Sequence, residues 1–485
     1  MVNKLTLFTA GMILCVMSCT KVSLINSPDQ LNSSAAKSVT AVTAVLSTDV
    51  PVTVTVDLSR QGLQIPKYFT GFSFEKYSLI KSAYFNSNNT SFINLVKGLG
   101  HGMLRIGGGS VDDVQWTNST STSKPFTLTS VDMYNFFAFA GATRWPVMYG
   151  VNLHPAALPL NVAEIRYLDT HFGNMTASLA LGNEPDLYNP FGHRPSTYGY
   201  TSFLNEWTTL RDSIHQVSPA QCFAGPSTAS GTWMIPFGRD KHSSISWLTE
   251  HFYKLNTGGD TVQSIAKLLT RDTAFITRAY ILRQATKPYN IAWRIDECNT
   301  SAANRPGVSN SFASALWALD FMFLAADQGA SGVNFHSGNT YYSPISFLSS
   351  PAKPLPLYYG MLFFSKASLG KLLTVGSVAG SSINFSPYAV QQSDGTVQVT
   401  LINKDLSKDA AVSFSAINGA TQLKNASVLR LQGPSPGALT GTLFGGSAVK
   451  DDGTWSASVK ESLVMTGNTT TVKVPACSAV LITLQ

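Results

Sequence analysis

The segment LALGNEPDLY, residues 179–188, runs from a short apolar stretch directly into a glycine, an asparagine and a glutamate. Seven other apolar stretches of similar length lie between residues 68 and 336, and several of them also end in polar or charged side chains. Short apolar runs bounded by turn residues predict β-strands. The eight predicted strands are 68–74, 102–107, 145–151, 177–182, 221–225, 247–253, 291–296 and 331–336.

Amphipathic stretches separate most of these strands and predict helices at 90–99, 161–172, 200–217, 262–285 and 309–328. Repeated alternation of strand and helix predicts an α/β fold of the (β/α)8 TIM barrel type. The alternative is a doubly wound open sheet, which needs a glycine-rich phosphate turn after its first strand. GFSFEKYSL at 71–79 is not such a turn, and IGGGSVDD at 106–113 lacks both the dinucleotide spacing and a GK[ST] ending. The barrel is therefore favoured.

The pattern changes near residue 370, where alternating β-type stretches separated by Gly, Asn and Asp replace the strand–helix alternation. This pattern predicts an antiparallel β-sandwich over 369–485. Residues 49–64 also alternate and precede the barrel, so we expect them to join the sandwich. The predicted barrel then occupies 65–368.

The first 18 residues have the features of an export signal. A basic start is followed by LTLFTAGMILCVM, which is too short for an ordinary membrane-spanning helix. The sequence Val16-Met17-Ser18-Cys19 resembles a bacterial lipoprotein signal, which implies cleavage after Ser18 and lipidation of Cys19. Residues 19–48 predict a flexible tether. We expect an exported lipoprotein, anchored in the outer membrane or facing the periplasm or cell surface; an ordinary secretory signal is the alternative.

Composition narrows the classes of partner. Of the 485 residues, 44% are hydrophobic and 13% are charged, which is typical of a globular protein with a large core. The formal net charge is +7, but the basic residues are scattered and form no tract of the kind that binds nucleic acid. Three of the five cysteines lie beyond the signal, and their wide spacing fits neither a disulfide framework nor a zinc site.

A TIM barrel carries its chemistry at the carboxyl ends of its strands. Glu184 follows the fourth predicted strand, and Glu297 follows the seventh in WRIDECNTSA. Roughly three strand–helix units separate them, which places them opposite each other across the barrel mouth. Two facing carboxylates, one protonated and one ionised, are the apparatus of glycoside hydrolysis. A single glutamate after a strand is more often a solvated or salt-bridged residue. The hypothesis of glycoside hydrolysis therefore depends on the presence of both glutamates.

Thiol and metal chemistry are less favoured. Cys298 adjoins Glu297, but neighbours on a strand point to opposite faces, so Cys298 would lie against the helices as an inert thiol. His251 and His336 also end strands, but no HExxH or paired-histidine spacing accompanies them. Polar contact with a sugar is the favoured role for these histidines. We expect neither a metal nor a cofactor.

Four segments together resemble glycoside hydrolase family 79, the family of heparanases and exo-β-glucuronidases within clan A. They are GFSFE at 71–75, LRIGGG at 104–109, LGNEPDLY at 181–188 and ECNTSAANRPGVSNSFASALWALD at 297–320. NEP alone is shared by many families, whereas the combination is much more discriminating. The resemblance covers about 68–345, followed by a C-terminal β domain of the family's kind.

By this resemblance, Glu184 is the general acid/base and Glu297 is the nucleophile of a retaining, two-step mechanism. The resemblance further implies that Asn183 binds the sugar 2-hydroxyl, that Tyr253 orients Glu297, and that Glu75 accepts hydrogen bonds from ring hydroxyls.

The resemblance also implies a site for the carboxylate of a uronic acid. Its candidates are Asn304, Arg305 and Gly307 in the loop after the nucleophile, with Tyr341 or Tyr342 after the eighth strand. Backbone N–H groups at a glycine-bearing turn, helped by an arginine, suit a carboxylate. The loop departs from the family in carrying Asn-Arg-Pro-Gly where more glycine is usual. No basic clusters like those with which heparanases bind sulfated chains are evident, which favours an exo-acting β-glucuronidase.

Other functions stay open from the sequence. Another clan A exo-glycosidase, such as an arabinofuranosidase or xylosidase, would keep the carboxylate pair around a neutral sugar pocket. A non-catalytic glycan-binding surface lipoprotein would keep the barrel, but it has no need of two facing glutamates. An anion-binding scaffold rests on net charge alone. The expected partner in the favoured cases is a carbohydrate.

Overall fold

A computed structural model of the protein describes residues 49–256, 259–348, 350–379, 382–419, 423 and 425–485. The predicted signal peptide, the tether and the predicted lipidation site Cys19 lie outside the described residues. Within the described ranges the chain forms a closed barrel and a separate β domain. No helix in these ranges is long and apolar enough to cross a membrane.

Strand β1 (Asp49–Gln64) precedes the barrel. The strands after it, up to the end of the barrel segment, are β2 (Thr70–Glu75), β3 (Gly102–Gly107), β4 (Gln115–Trp116), β5 (Thr127–Leu128), β6 (Val147–Val151), β7 (Thr176–Leu181), β8 (Phe223–Thr228), β9 (Trp247–Leu255), β10 (Ala292–Ser301), β11 (Val333–Ser337), β12 (Ile345–Ser346) and β13 (Lys353–Pro354). Strands β2, β3 and β6 to β11 pair in parallel in chain order, and the barrel closes where β11 pairs with β2. Each of the eight predicted strands is present, and the predicted TIM barrel is confirmed.

The helices are α1 (Thr90–Gly98), α2 (Ser130–Thr143), α3 (Leu158–Phe172), α4 (Tyr200–Val217), α5 (Met234–Lys241), α6 (Thr261–Leu269), α7 (Thr273–Thr286), α8 (Phe312–Asp327) and α9 (Pro356–Ala367). The prediction of one helix over 262–285 is wrong. The chain is extended at Thr270, and the Asp272 carboxylate turns inward to lie 3.4 Å from Lys254 Nζ. Helix α2 is apolar on most sides and so has no amphipathic pattern, but a capping box of Thr129 and Asp132 marks its start.

The C-terminal domain is a ten-stranded sheet within the described ranges. Its strands after β1 are β14 (Lys371–Ala379), β15 (Phe385–Gln391), β16 (Val397–Asn403), β17 (Asp409–Ile417), β18 (Ala426–Gln432), β19 (Leu443–Phe444), β20 (Glu461–Leu463), β21 (Thr469–Val474) and β22 (Ser478–Leu484). The order is β19-β18-β22-β16-β15-β14-β1-β17-β21, with β20 paired to β18. Val412 on β17 and Ile482 on β22 share one apolar core although their strands are far apart in this order, so the sheet folds over as a sandwich.

Strand β1 lies inside this sheet. It pairs antiparallel with β14 and parallel with β17. The parallel pair departs from the wholly antiparallel expectation, because the entire barrel separates β1 from β17 in sequence and no hairpin joins them. Val52, Val54 and Val56 alternate along β1 and are buried in the sandwich core.

A buried ion pair joins the sandwich to the barrel. Lys404 Nζ lies 2.6 Å from Asp320 Oδ2 on α8, and the Tyr388 hydroxyl donates to Asp320 Oδ1 at 2.9 Å. Burial raises the pKa of Asp320, but the charge of Lys404 outweighs it and holds this pKa below its usual value. Helix α8 follows the strand that carries Glu297, so the sandwich supports the helix next to the candidate site.

Candidate active site

Glu184 and Glu297 lie at the carboxyl ends of β7 and β10, at the mouth of the barrel. One oxygen of each carboxylate and one ring nitrogen of His251 all lie within 4.8 Å of one another. His251 Nδ1 is 2.9 Å from Glu184 Oε1 and 3.9 Å from Glu297 Oε1. The Glu184 side chain is 20% exposed and the Glu297 side chain is 8% exposed, so both glutamates adjoin the solvent-accessible mouth. The structure brings together the two residues that the strand interval pairs.

The backbone at Glu184 adopts a conformation that is rare for residues with a side chain. Its φ of 49° and ψ of 51° are left-handed, and the short 3-10 turn Pro185–Leu187 follows. The Glu184 N–H donates to Ser227 O at 2.8 Å, which fixes this bend to the end of β8. Left-handed conformations cost on the order of 1–3 kcal/mol and concentrate at functional sites.

The two carboxylates have opposite pKa shifts. Burial and the charge of Glu297 raise the pKa of Glu184, and they outweigh the lowering effect of His251. Burial would also raise the pKa of Glu297, but nearby positive charges hold it well below its usual range. These charges belong to His336, His251 and Arg105. The arrangement makes Glu184 the more readily protonated carboxyl group of the two and keeps Glu297 ionised.

Arg105 is the buried cation at the centre of the site. Its Nη1 donates to Glu297 Oε2 at 2.6 Å, and its Nη2 donates to Asn183 Oδ1 at 2.8 Å. Its Nε lies 3.3 Å from Asp296 Oδ2. Burial lowers the pKa of Arg105, but the charges of Asp296 and Glu297 raise it more, so the guanidinium stays charged. The role of Arg105 was not predicted, although a cation inside the apolar strand GMLRIG signals that an ionised partner lies nearby.

A β-bulge places two successive acidic side chains of β10 inside the barrel. The register between β9 and β10 slips between Ile295 and Glu297, and Asp296 is the extra residue. Asp296 Oδ2 accepts from Ser227 Oγ at 2.7 Å, while Glu297 pairs with Arg105. On a regular strand Asp296 and Glu297 would face opposite sides. The bulge therefore determines that both carboxylates serve one site.

Cys298 packs on the opposite side of β10 from the site, as the strand alternation predicts. It is completely buried in the core cluster around the barrel, and its Sγ lies 3.4 Å from Asn334 O. Burial and the charge of Glu297 raise the pKa of the thiol well above its usual value. A thiol in this state is a poor nucleophile.

The motif LGNEPDLY is held at several points. Asp112 accepts from the Asn183 N–H at 3.3 Å and from the Tyr188 hydroxyl at 2.5 Å. Asp186 accepts from the backbone N–H groups of 229–230 at 3.0 and 2.9 Å. The side-chain oxygen of Asn183 already accepts from Arg105, which leaves the side-chain N–H₂ group as the end suited to a ligand oxygen.

His336 connects Glu297 with Glu75. Its Nδ1 lies 3.6 Å from Glu297 Oε2, and its Nε2 lies 3.3 Å from Glu75 Oε1. Burial lowers the pKa of His336, but the charges of both glutamates raise it overall. The Ser110 N–H and hydroxyl donate to Glu75 Oε2 at 2.9 and 2.5 Å. A Cβ at Gly108 would lie 2.3 Å from the Glu75 carboxyl carbon, which explains one glycine of LRIGGG.

Two tyrosines complete the wall beside Glu297. The Tyr253 hydroxyl donates to Glu297 Oε1 at 2.8 Å, the contact that the resemblance implies. The Tyr342 ring lies 6.1 Å from the Tyr253 ring and 5.9 Å from the ring of His336. Of the two tyrosines that follow β11, Tyr342 is therefore the one beside the site. The Tyr341 N–H instead donates to the side chain of Asn304 at 2.5 Å, so Asn304 braces the loop after β11.

The rest of the predicted carboxylate loop has partners within the protein. The Arg305 guanidinium donates to Ser264 Oγ and to Gly259 O. The Gly307 N–H donates to Asn310 Oδ1 at 2.8 Å. The structure thus places this loop near Tyr341 and Tyr342 but does not join Arg305 or Gly307 to the carboxylate pair. The uronate-binding roles of Asn304, Arg305, Gly307 and Tyr341 stay predictions.

Glu184, His251 and Glu297 are close enough together to be metal ligands. The positive charges of His251 and Arg105 disfavour a metal cation there. Burial lowers the pKa of His251, and the charges of Glu297 and Asp296 outweigh this and raise it to about 9. A protonated imidazole is not a ligand. The guanidinium of Arg105 also occupies Glu297 Oε2. These residues fit proton transfer better than metal binding.

Comparisons with known proteins find similarity to glycoside hydrolases. Residues 387–481 match the family model described as the glycosyl hydrolase family 79 C-terminal beta domain. A β-glucuronidase of Aspergillus niger is 24% identical over 273 residues, which are 48% of this chain and 48% of that protein. A β-glucuronidase of Neurospora crassa is 24% identical over 272 residues, which are 48% of this chain and 49% of that protein. The chain thus spans about half the length of these curated relatives.

Solved structures show the same fold. A 4-O-α-L-rhamnosyl-β-D-glucuronidase from Fusarium oxysporum has a TM-score of 0.70 at 18% identity, and the match covers 89% of this chain and 100% of that chain. A GH51 arabinofuranosidase from Xanthomonas axonopodis pv. citri has a TM-score of 0.68 at 17% identity, with 90% and 100% covered. Both structures thus share the fold of this chain, a barrel with an appended β domain. The family model and the curated relatives confirm the resemblance to glycoside hydrolase family 79.

Proposed function

We propose that the protein is a retaining exo-glycoside hydrolase, a β-glucuronidase that releases terminal glucuronic acid from glycans or glucuronides. One observation carries this proposal: Glu184 and Glu297 have opposite pKa shifts, and their nearest carboxylate oxygens lie within 4.8 Å. Retaining glycosidases hold their carboxyl groups about 5–5.5 Å apart, whereas inverting enzymes need about 6.5–9.5 Å to admit a water. The two relatives named β-glucuronidase support the substrate class.

In the first step the ionised Glu297 attacks the anomeric carbon and forms a glycosyl ester, while Glu184 donates its proton to the departing oxygen. The hydrogen bond from Tyr253 and the guanidinium of Arg105 hold the Glu297 oxygens in place for this attack. The N–H₂ group of Asn183 donates to the sugar 2-hydroxyl. This hydroxyl lies next to the anomeric carbon, where positive charge develops in the transition state.

In the second step Glu184 acts as a base. Formation of the ester removes the negative charge of Glu297, which is one of the causes that raise the pKa of Glu184. With that charge gone, the pKa of Glu184 falls, and the carboxylate can accept a proton from water. The water oxygen then attacks the anomeric carbon, the bond to Glu297 breaks, and the free uronic acid leaves with its β configuration retained.

Hydrolysis of p-nitrophenyl β-glucuronide tests the reaction and the substrate together. We expect p-nitrophenol release by the parent and at least about 100-fold loss of kcat in Glu297→Gln. Proton NMR of the first product should show the β anomer of glucuronic acid. Appearance of the α anomer first would exclude retention, and full activity of Glu297→Gln would exclude the nucleophile.

A second candidate is a clan A glycosidase with a neutral sugar pocket, of the arabinofuranosidase or xylosidase kind. The observation that favours it is the loop 304–307, where the Arg305 guanidinium and the Gly307 N–H are engaged by Ser264, Gly259 and Asn310. A panel of p-nitrophenyl glycosides separates the candidates. Cleavage of the α-arabinofuranoside or β-xyloside without cleavage of the β-glucuronide would assign the neutral pocket.

We also propose that the protein is exported and anchored through a lipid on Cys19. The sequence Val16-Met17-Ser18-Cys19 supports this. Expression in a Gram-negative host with labelled palmitate should label the parent, and Cys19→Ala should lose the label and leave the membrane fraction. An unlabelled parent that is secreted would instead assign an ordinary signal peptide.

A further inference from the structure

A second β-bulge lies on β8, on the other side of β9 from the bulge at Asp296. The register between β8 and β9 slips between Pro226 and Thr228, and Ser227 is the extra residue. Strand β9 therefore has a bulged strand on each side. Bulges re-aim a side chain and are common next to active sites. The two extra residues, Ser227 and Asp296, can thus meet across β9.

A buried hydrogen bond joins these two residues. Ser227 Oγ donates to Asp296 Oδ2 at 2.7 Å and lies 3.0 Å from Thr249 Oγ1 on β9. The Ser227 N–H donates to Thr249 Oγ1 at 3.1 Å. All three residues are at most 1% exposed. Since the one hydrogen of the Ser227 hydroxyl goes to Asp296, the Thr249 hydroxyl donates its own to Ser227 Oγ. The Ser227 side chain is therefore fixed on two sides.

The backbone of Ser227 is left-handed, with a φ of 54°. Residues other than glycine rarely adopt this conformation, and it persists where surrounding contacts hold it. For Ser227 those contacts are to Thr249 and Asp296. In this conformation the Ser227 carbonyl accepts from the Glu184 N–H at 2.8 Å, and the φ of Glu184 is itself 49°. The hydroxyl of Ser227 thereby stabilises the bend that presents Glu184.

The same hydroxyl is connected to Glu297 on the other side. Asp296 Oδ2, which accepts from Ser227, also lies 3.3 Å from Arg105 Nε. Arg105 Nη1 donates to Glu297 Oε2 at 2.6 Å. The path from the Glu184 backbone to the Glu297 carboxylate thus passes through three residues, Ser227, Asp296 and Arg105, which are all buried.

We propose that Ser227 is a positioning residue that sets the two carboxyl groups of the site relative to each other. Its carbonyl fixes the backbone of Glu184, and its hydroxyl fixes Asp296 and, through Arg105, the carboxylate of Glu297. This inference rests on the proposed function, because it takes Glu184 as the acid/base and Glu297 as the nucleophile. It does not depend on which sugar is cleaved.

Ser227→Ala tests the proposal through kcat/KM for two aryl β-glucuronides. A dinitrophenyl group leaves without a proton, whereas a phenyl group needs the proton of Glu184. Displacement of Glu184 therefore slows the phenyl substrate alone, and displacement of Glu297 slows both. We expect a loss of about 100-fold on the phenyl glucuronide and about tenfold on the dinitrophenyl glucuronide.

Ser227→Gly separates the two connections. Glycine lacks the hydroxyl but adopts the left-handed conformation without strain, so the carbonyl can stay on the Glu184 N–H. The losses on the two substrates should then be nearly equal, at about tenfold. If Ser227→Gly shows the same difference between substrates as Ser227→Ala, the connection through the backbone of Glu184 is wrong.

Ser178→Ala is the matched control. Ser178 lies on the neighbouring strand β7 and is completely buried, but its hydroxyl has no hydrogen-bond partner among the described residues. This variant should match the parent on both substrates. Equal losses on both substrates in Ser227→Ala would indicate a structural role and overturn the inference, as would no loss on either. A parent that cleaves only arabinofuranosides or xylosides would contradict the proposed substrate, and aryl derivatives of that sugar would then decide the inference in the same way.

A parent that cleaves no aryl glycoside would contradict the proposed function instead. Carbon-13 NMR titration of the glutamate carboxyl groups then decides the inference separately, with Glu184→Gln identifying the signal of Glu184. Ser227→Ala alters no charge, so a changed pKa of Glu184 would report its displacement from Glu297 and His251. We expect this change in Ser227→Ala and none in Ser178→Ala. The parent value in both variants would overturn the inference.

Discussion

Replacement of Arg105 by methionine tests whether buried charge keeps Glu297 ionised. The substitution keeps much of the apolar stem but removes the cation that contacts both Glu297 and Asp296. Breaking a buried ion pair by removing one partner costs about 3–5 kcal/mol, because it leaves the other charge unpaired. We therefore expect the free energy of unfolding in urea to fall by about this amount. We also expect the pKa of Glu297 to rise.

The assay for that rise is the acidic limb of the kcat/KM–pH profile. The nucleophile must be ionised, so activity is lost as pH falls through the pKa of Glu297. The parent should keep its activity to low pH, because His336, His251 and Arg105 hold this pKa well below its usual range. In Arg105→Met the acidic limb should move to higher pH. Arg105→Lys keeps a positive charge but cannot contact Glu297, Asn183 and Asp296 at once, and it should show a smaller shift.

Arg294→Met is the matched control. Arg294 is as deeply buried in the same barrel, but its guanidinium donates to Asn334 Oδ1 at 2.6 Å and to the Tyr68 carbonyl at 2.9 Å. This variant should lose stability and keep the acidic limb of the parent. If Arg105→Met and the parent have the same acidic limb while both remain folded, the electrostatic account of Glu297 is refuted.

Three further predictions concern Glu184, His251 and Lys404. Glu184→Gln should lower kcat by about 10²–10⁴-fold for poor leaving groups and much less for a dinitrophenyl glycoside, with loss of the basic limb of the profile; an intact basic limb would assign the acid elsewhere. The pKa of His251 is raised from 6.5 to about 9 on folding, so its stabilisation is complete below about pH 6.5 and is lost as pH rises through about 9. Chemical denaturation should show about 3 kcal/mol of this loss in the parent and none in His251→Asn; identical pH slopes would contradict it. Lys404→Met should lower the free energy of unfolding by about 3–5 kcal/mol, because Asp320 is left buried and unpaired, and Lys404→Met/Asp320→Asn should recover part of it; a neutral single variant would show that the pair does not join the domains.

The barrel was predictable because each strand carries its own apolar signal. The strand 102–107 is predicted and found with the same bounds, and helix 200–217 likewise. Such local patterns fail where tertiary contacts decide the chain's path. The split at Thr270 brings Asp272 to Lys254, and the start of α2 depends on a capping box without amphipathic spacing. The parallel pairing of β1 with β17 likewise depends on the folded barrel between them.

The candidate site likewise contains residues that the sequence predicts and contacts that only the folded chain determines. The strand interval alone indicates that Glu184 and Glu297 face each other, and the resemblance supplies Asn183, Tyr253 and Glu75, which the structure places around them. The loop that carries Arg305 and Gly307 was expected at the sugar carboxylate, but its donors are satisfied by neighbouring loops. Residue spacing in the sequence does not indicate that neighbouring loops accept hydrogen bonds from Arg305 and Gly307.

By itself, the sequence determined the barrel through its eight apolar stretches, because each strand signal is local. LALGNEPDLY and its counterpart WRIDECNTSA determined the strand ends and the two facing glutamates. Only the tertiary structure decided the opposite directions of their pKa shifts. A one-residue bulge turns Asp296 inward beside Glu297, and Arg105 enters from β3 to meet both. The pKa of a buried carboxylate depends on charges brought close by folding, and residues distant in sequence supply nearly all of them here.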